Sequence, residues 1–541
     1  MNRKKRVVKV LNGQIKAQNG ISKNHKRTTK KLSSNGHIGN DKTCDLPVFE
    51  CCPIKSQAVR VLSSEQGAPY SVLLQHIDSA HNHHKFYAMQ ALKIDDAHFA
   101  CLFWWGRIGS SGRKTLVKSS KKETTINSFC RRFSSKTGLN WEQRNQPGKA
   151  GQYHVVELST PQEIKPPKSE DNFQIAGPKI IPKSRLPLEA QHLFSSITDR
   201  ATVAKEILKV EPHYQNTLDR PLGRLTPAQL KGGYACLREI EELMAQSKPN
   251  KKKLSDASDI FYSMIPHEFG IREVPPVIST SDLVKEKAGL LNTLAEAQIA
   301  IRRLEEAEAV EANGKTNHLD ALHNLIAFKL ELLQPNTDVF NLIQEYLFLN
   351  HAPAHNFDLK LKAIFEVKER KEKFRFKDLG NKVLLWHGCR LPTVVGILSH
   401  GLQISPPETP SDRFMFGRGL YFADSSSESA KYCHAGNGEE AVLVLAEVSL
   451  GDANTKAAPD FNARNLPRGK NSVFGKGRKA PDCSENKHPT LFDDVKVPVG
   501  AIKKVFGRKG DLPLNEYTIY DETQARLRFL VHVQLSAKSN D

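Results

Sequence analysis

The stretch "GRGLYFADSSSESAKYC", Gly417 to Cys433, decides how this chain of 541 residues is read. It opens as a phosphate-cradling loop opens, runs into serines and closes just past an aromatic. Tyr421 and Tyr432 flank Ser429, a pattern that suits a flat ligand with a polar edge. The standard nucleotide loops fail here. Gly417 and Gly419 begin a G-x-G-x-x-G, but Phe422 stands at the third glycine and the strand–turn–helix setting is missing. Downstream, "GKNSVFGKGRK" imitates a P-loop, yet Gly469 and Gly475 are one residue too far apart, and Gly477 stands where Ser or Thr should follow Lys476. The lysine-rich segment from about 452 to 490 therefore reads as a solvated excursion.

Outward from this stretch, composition sets the frame. A chain this long exceeds one hydrophobic core and calls for two to four domains. The formal net charge is +20, and it is confined to the front. Residues 1–40 hold eleven Lys/Arg and no Asp/Glu, and Arg107 to Lys149 hold eleven against Glu123 and Glu142. The remainder is neutral, so the front is the part suited to a polyanion such as nucleic acid. No apolar run is long enough to span a bilayer, and no sustained apolar region follows the basic start, so neither membrane nor signal peptide is expected. Arg3-Lys4-Lys5-Arg6, with Lys26-Arg27 and Lys30-Lys31, reads as nuclear-import clusters. The nine cysteines lack paired C-x-x-C spacing, which argues against zinc fingers and disulfides.

The predicted architecture is multidomain α+β. Residues 1–70 read as a disordered basic tail and 71–162 as a small β-rich domain. "KFYAMQAL" and "HFACLFWWGRIG" are its strands, and "TTINSFCRRFSSKTG" a helix stopped by Gly138. Residues 163–184 are a proline-punctuated linker. Residues 185–312 form an all-α bundle. Its long helix is capped near Ser281-Asp282 and carries Leu290, Leu294, Ala297, Ile301 and Leu304 on one face. Residues 313–541 form a C-terminal α/β domain with buried strands in "KVLLWHGC" and "EAVLVLAEVSL". Its last strand, "RLRFLVHVQL", places Leu527, Phe529, Val531, Val533 and Leu535 on one face by strict alternation.

Singly, His387 in "LLWHGC", Tyr421 in the opening stretch and Glu516 in "LNEYTIYD" each have a plain structural reading, as core histidine, core aromatic and edge-strand charge. In this order and context they resemble the His–Tyr–Glu triad of the poly(ADP-ribose) polymerases. "LLWHG", "MFGRGLYFAD", "SAKYC" and "NEY" match that family nearly word for word. "HAPAHN" and "MIPHEFG" extend the resemblance upstream, and Trp105-Gly106-Arg107 is similar to the WGR signature. It runs from about residue 75 to 535, in the layout of the shorter DNA-dependent members without zinc fingers.

The resemblance implies a nuclear ADP-ribosyltransferase activated by DNA breaks, with NAD⁺ as a consumed substrate and no metal. His387 would hold the adenosine ribose, and Gly388, Ser429, Tyr421 and Tyr432 the nicotinamide. Glu516 would stabilise the cationic sugar and permit elongation. The residue types suit these roles: Gly388 offers main-chain N–H and C=O, Ser429 a donor, and the tyrosines stacking surfaces. Damaged DNA would meet Arg107, Arg113 and Lys114, with Trp105 in contact or filling the core. Acceptors would be proteins including the enzyme itself, with room for an accessory factor at the acceptor side. Cys389, Gln403, Glu428 and Leu514 depart from the family pattern, the last two on the side that sets polymer length. Two alternatives stay open: a catalytically silent DNA-end scaffold, disfavoured by retention of all three triad residues, and a mono-ADP-ribosyltransferase.

Overall fold

The computed structural model describes residues 42–146 apart from 45, 50, 55 and 57, then 151–156, 182–212, 225, 227–267, 269, 273–312, 314–370, 375–406, 414–482 and 494–538. The basic clusters before residue 40 and nearly all of the 163–184 linker lie outside them.

The front region is an antiparallel sheet of β1 (Thr43–Cys44), β2 (Arg60–Leu62), β3 (Ser71–Asp78), β4 (His83–Lys93), β5 (Phe99–Arg107), β6 (Arg113–Ser119) and β7 (His154–Val156). β4 is its spine, paired with β5 along one edge and with β2 and β3 in succession along the other. Helix α1 (Lys122–Thr137) lays Phe129 and Phe133 on the sheet, each edge-on to Trp141. The expected tail boundary at 70 is corrected: the sheet begins at Thr43. Cys52, Val59 and Val61 are buried against Leu92 and Leu102. A few apolar residues in a polar stretch suffice when an existing sheet edge receives them.

Ahead of the C-terminal strands lie α2 (Leu188–Thr198), α3 (Arg200–Val210), α4 (Pro227–Met244), α5 (Lys251–Met264), α6 (Ser281–Glu311) and α7 (His318–Leu325). The 31 residues of α6 span about 46 Å at ~1.5 Å per residue, so this helix serves two cores. Leu290, Leu291, Leu294 and Ala297 pack with α3, α4, α5 and the front sheet's Leu73 and Ile77. Ala300 and Ala307 pack with α2, α7 and the C-terminal strands. The predicted face of α6 is buried throughout. Its cap, however, is Thr280, whose hydroxyl accepts from the Leu283 N–H at 3.3 Å; Ser281 and Asp282 are already helical. The expected break at 312 is also moved, because α7 packs Leu319 and Leu322 into the helical side of that second core.

The C-terminal region contains β8 (Phe328–Leu332), α8 (Asp338–Leu349), β9 (Phe357–Glu369), β10 (Lys382–Gly388), α9 (Leu391–His400), β11 (Leu420–Phe422), α10 (Ser426–Lys431) and β12 (Glu440–Ser449). It continues with β13 (Ala453–Lys456), β14 (Ser472–Gly475), β15 (Lys479–Pro481), β16 (Ile502–Lys504), β17 (Glu516–Ile519) and β18 (Ala525–Ala537). One sheet runs β10-β12-β18-β9-β8, all antiparallel; the other runs β11-β17-β14-β13, with β13 and β14 parallel. The segment expected to be a solvated excursion thus supplies β13, β14 and β15, and β14 pairs with the strand carrying Glu516. The strict alternation of β18 breaks as well. Leu445 pairs with Phe529 and Ala446 with Leu527, so Arg528 bulges out and Leu527 joins a different core from Phe529.

Candidate active site

The serines of the opening stretch divide into fasteners and one candidate ligand group. The Ser425 hydroxyl donates to Asn350 O at 2.9 Å and that of Ser426 to Leu347 O at 2.6 Å. Ser427 Oγ accepts from Ala352 N–H at 2.7 Å. All three are fully buried, and together they pin α10 to the end of α8. Ser429, on the same short helix, is set against β10. A Cβ at position 388 would run into the Ser429 carbonyl, so only glycine lets the two backbones approach this closely.

Reciprocal main-chain bonds of 2.9 Å between Trp386 and Ala423 stitch β10 to β11, and β11 pairs with β17, Tyr421 opposite Thr518. His387, Tyr421 and Glu516, far apart in sequence, thereby stand on three successive strands. His387 Nδ1–H donates to Tyr421 O at 2.9 Å, which leaves Nε2 as an acceptor. Burial holds its pKa below the ordinary imidazole value and keeps the ring neutral. The Tyr421 hydroxyl donates to Gly417 O at 2.6 Å and accepts from Phe416 N–H at 2.8 Å. Its ring is therefore a fixed wall whose polar end is already used. Tyr432, the C-cap of α10, is 54% exposed and presents the open ring.

Glu516 begins β17 opposite Gly475. The residue before it holds it in place: Asn515 Nδ2 donates to Asp424 at 2.7 Å, and Asn515 Oδ1 accepts from Gly477 N–H at 3.0 Å. Burial first, then the nearby Glu428 carboxylate, push the Glu516 pKa up to about 7, opposed by Lys431. Glu428 bonds Lys431 at 2.9 Å and faces His355 Nε2 at 3.2 Å. These partners outweigh its burial and hold its pKa below the usual range. The negative charge at 428 is thus answered locally by Lys431 and by a histidine from "HAPAHN". In the sequence Glu428 and that hexapeptide stand apart, and nothing in their spacing joins them. Asn515, Asp424 and Gly477 escape a sequence reading for the same reason. Of the other departures, Gln403 is exposed, Cys389 is buried, and Leu514 packs against Ala352 and Ile502.

The expected DNA residues separate. Arg113 and Lys114 are exposed on β6, opposite Trp105 and Trp104. At the other end of β6 a groove of about 700 Å³ between that strand and α1 is lined in part by Lys118, Arg131 and Arg132. Trp105 stacks on Tyr87 with ring centroids 5.8 Å apart. Arg107 grips the β3–β4 turn instead, donating to Asn82 O at 2.8 Å and Asn82 Oδ1 at 2.9 Å. Gly106 beside it has no room for a Cβ, with Gly112 Cα 2.7 Å away from where one would stand.

Three family profiles match in the same order as these regions: the WGR domain over residues 70–149, the poly(ADP-ribose) polymerase regulatory domain over 184–323 and the poly(ADP-ribose) polymerase catalytic domain over 337–535. The chain is 36% identical over 482 residues to poly(ADP-ribose) polymerase 2 of Homo sapiens, covering 86% of this chain and 80% of that protein. The chain belongs to the poly(ADP-ribose) polymerase family. It is also 32% identical to poly(ADP-ribose) polymerase 2 of Zea mays, covering 87% of this chain and 71% of the relative. With the poly(ADP-ribose) polymerase of Drosophila melanogaster it is 32% identical, covering 94% of this chain but 51% of that longer protein.

In this member of the poly(ADP-ribose) polymerases the regulatory helices attach close to His387. Arg390, three residues after His387, donates to Glu206 of α3 at 2.8 Å. Lys205 and Lys209 of α3 reach Glu439 at 2.6 and 2.5 Å. From α2, His192 and Ser196 each meet Glu440 at 2.9 Å. Among the described residues no helix is long and apolar enough to cross a membrane.

Proposed function

We propose that this chain is a nuclear, DNA-break-activated poly(ADP-ribose) polymerase that consumes NAD⁺ and modifies proteins, itself included. The observation that carries the reading is the stitching of β10, β11 and β17, which sets His387, Tyr421 and Glu516 on adjacent strands. The free Nε2 of His387 suits a ribose hydroxyl on the adenosine side. Gly388 and the Ser429 hydroxyl suit the carboxamide of nicotinamide, with Tyr421 as the fixed wall and Tyr432 as the open one.

As the bond between nicotinamide and C1 of its ribose breaks, the electron pair leaves with the nicotinamide nitrogen and the sugar becomes oxocarbenium-like. An anionic Glu516 stabilises that charge and accepts the proton of the incoming hydroxyl as the new C1–O bond forms. The chemistry requires no metal. The pinned Leu514-Asn515-Glu516 strand end and the Glu428 cluster flank the acceptor side, where an accessory factor would dock. Arg113, Lys114 and the basic groove at the other end of β6 form the surface proposed for damaged DNA. The Arg390–Glu206 and Lys209–Glu439 pairs are proposed as latches that keep the regulatory helices over the cleft until DNA binds.

Labelled NAD⁺, incubated with the purified chain with and without nicked DNA and run on a gel, tests the reading. A DNA-dependent smear supports it. A single sharp band means mono-ADP-ribosylation, and no label under either condition means a silent scaffold.

A further inference from the structure

The tip of the β3–β4 hairpin carries four histidines and an aspartate within nine residues: His76, Asp78, His81, His83 and His84. The fold sorts them. His76 and Asp78 alternate along β3 and so share a face, and His83 sits opposite Asp78 in the ladder. One ligand atom each from His76, Asp78 and His83 lie within 4.8 Å of one another. A tetrahedral ion with ~2.0–2.1 Å bonds to nitrogen and oxygen separates its ligand atoms by about 3.3–3.5 Å, so small side-chain rotations close the gap. The Asp78 carboxylate is already oriented: it accepts from His81 N–H at 3.1 Å and meets His81 Nδ1 at 2.8 Å. The His76 ring is held against Tyr153, centroids 5.4 Å apart.

We propose that His76, Asp78 and His83 form a binding site for a zinc-class divalent transition-metal ion, with His81 orienting the carboxylate. Two imidazole nitrogens and one carboxylate oxygen are borderline donors that suit such an ion and leave a fourth position open. The site is distinct from the catalytic cleft, whose chemistry does not use it.

Its setting gives it a consequence. The residues between the ligands carry the contacts to α5. Ile77 N–H donates to Ser263 Oγ at 3.0 Å, and Ser79 N–H to Asp259 at 3.2 Å. The same turn is the one that Arg107 grips through Asn82. An ion bridging β3 and β4 therefore stiffens the joint between the DNA-facing sheet and the regulatory helices.

The test uses the untagged full chain, stripped with a chelator, dialysed, and titrated with zinc chloride by calorimetry. One ion per chain is expected, with affinity at least ~10–100-fold weaker in Asp78→Asn and in His83→Gln. Melting curves of the metal-free variants check that they fold as the parent does. Cobalt(II) loading of the unaltered chain gives a second reading that needs no variant: d–d bands of a tetrahedral site without a thiolate charge-transfer band. No stoichiometric binding, affinity unchanged in both variants, or a thiolate band pointing to cysteines elsewhere would each overturn the proposal.

Discussion

The catalytic strands and the regulatory helices of this chain are cohesive for different reasons. In the strands, Leu384, Leu385, Trp386, Val444, Leu445, Leu530 and Val531 are wholly enclosed, and burial at roughly 25 cal/mol per Å² needs no particular partner. Both regions also enclose charge, but in different places: Glu447 of β12 is buried against Arg526 and Arg528 of the adjacent β18, whereas the helices set theirs where separate elements meet. Glu211 is enclosed with Lys287 and His267, bonded to the first and 3.5 Å from the second. Glu206 is buried where α3 meets Arg390. Such pairs add little net stability when intact, yet removing one partner costs about 3–5 kcal/mol. The enclosed pair of the strands joins neighbours within one hydrogen-bonded sheet, whereas Glu211–Lys287 and Glu206–Arg390 join separate elements, so the strands are the persistent region and the helical layer holds only while each partner is in place.

The comparison is broken hardest at the centre of the persistent region. Glu516→Gln keeps the strand pairing of β17 but removes the carboxylate, and elongation should fall by ~10²–10³-fold, equivalent to ~2.7–4 kcal/mol. Long polymer from this variant, read on a gel, would contradict the role given to Glu516. On the helical side, Glu206→Gln leaves every catalytic residue in place and frees Arg390. With a coupling of roughly 1–3 kcal/mol, turnover without DNA should rise ~5–150-fold. This substitution isolates the latch better than excising residues 185–312, which would strip Leu193 and Phe194 from the core they share with Leu385 and Val444.

Two finer measurements sharpen the contrast. Log K for nicked DNA should fall linearly with log salt, and Arg113→Ala with Lys114→Ala should flatten the slope by about 0.9 for each phosphate no longer neutralised. Arg107→Ala, whose guanidinium holds Asn82, should leave that slope nearly unchanged and weaken DNA-dependent activation instead. The smallest effect is on pH. The Glu516 pKa is raised to about 7 by burial and then by Glu428, so the carboxyl is protonated below that value, and turnover should climb through about pH 7 and level above it. Glu428→Gln removes the lesser cause and should move the midpoint to lower pH by part of the shift. A midpoint unchanged in this variant would mean that the two carboxylates do not sense each other.

The sequence was most legible where a period or a word-like motif sat on one element. The face of α6, the strands around Trp105 and Trp386, and the blocks holding His387, Tyr421, Ser429, Tyr432 and Glu516 needed no long-range information. The failures were long-range. Thr43–Leu62 looked like tail because its few apolar residues gain meaning only on the edge of β4. β14 looked like solvent loop because its partner β17 lies some forty residues on. The bonds from Arg107 to Asn82 join residues that no local pattern links. The Glu428–His355–Lys431 cluster joins segments that no local pattern links.

The central claim, that charged latches hold the helices over the strands, is tested most directly by NAD⁺ turnover without DNA, with intact chain and Glu206→Gln at equal concentration. The account predicts a silent or nearly silent parent and a variant several-fold to ~150-fold faster, with both reaching a similar rate when nicked DNA is added. A folded variant as silent as its parent without DNA would show that the Glu206–Arg390 contact does not restrain the enzyme.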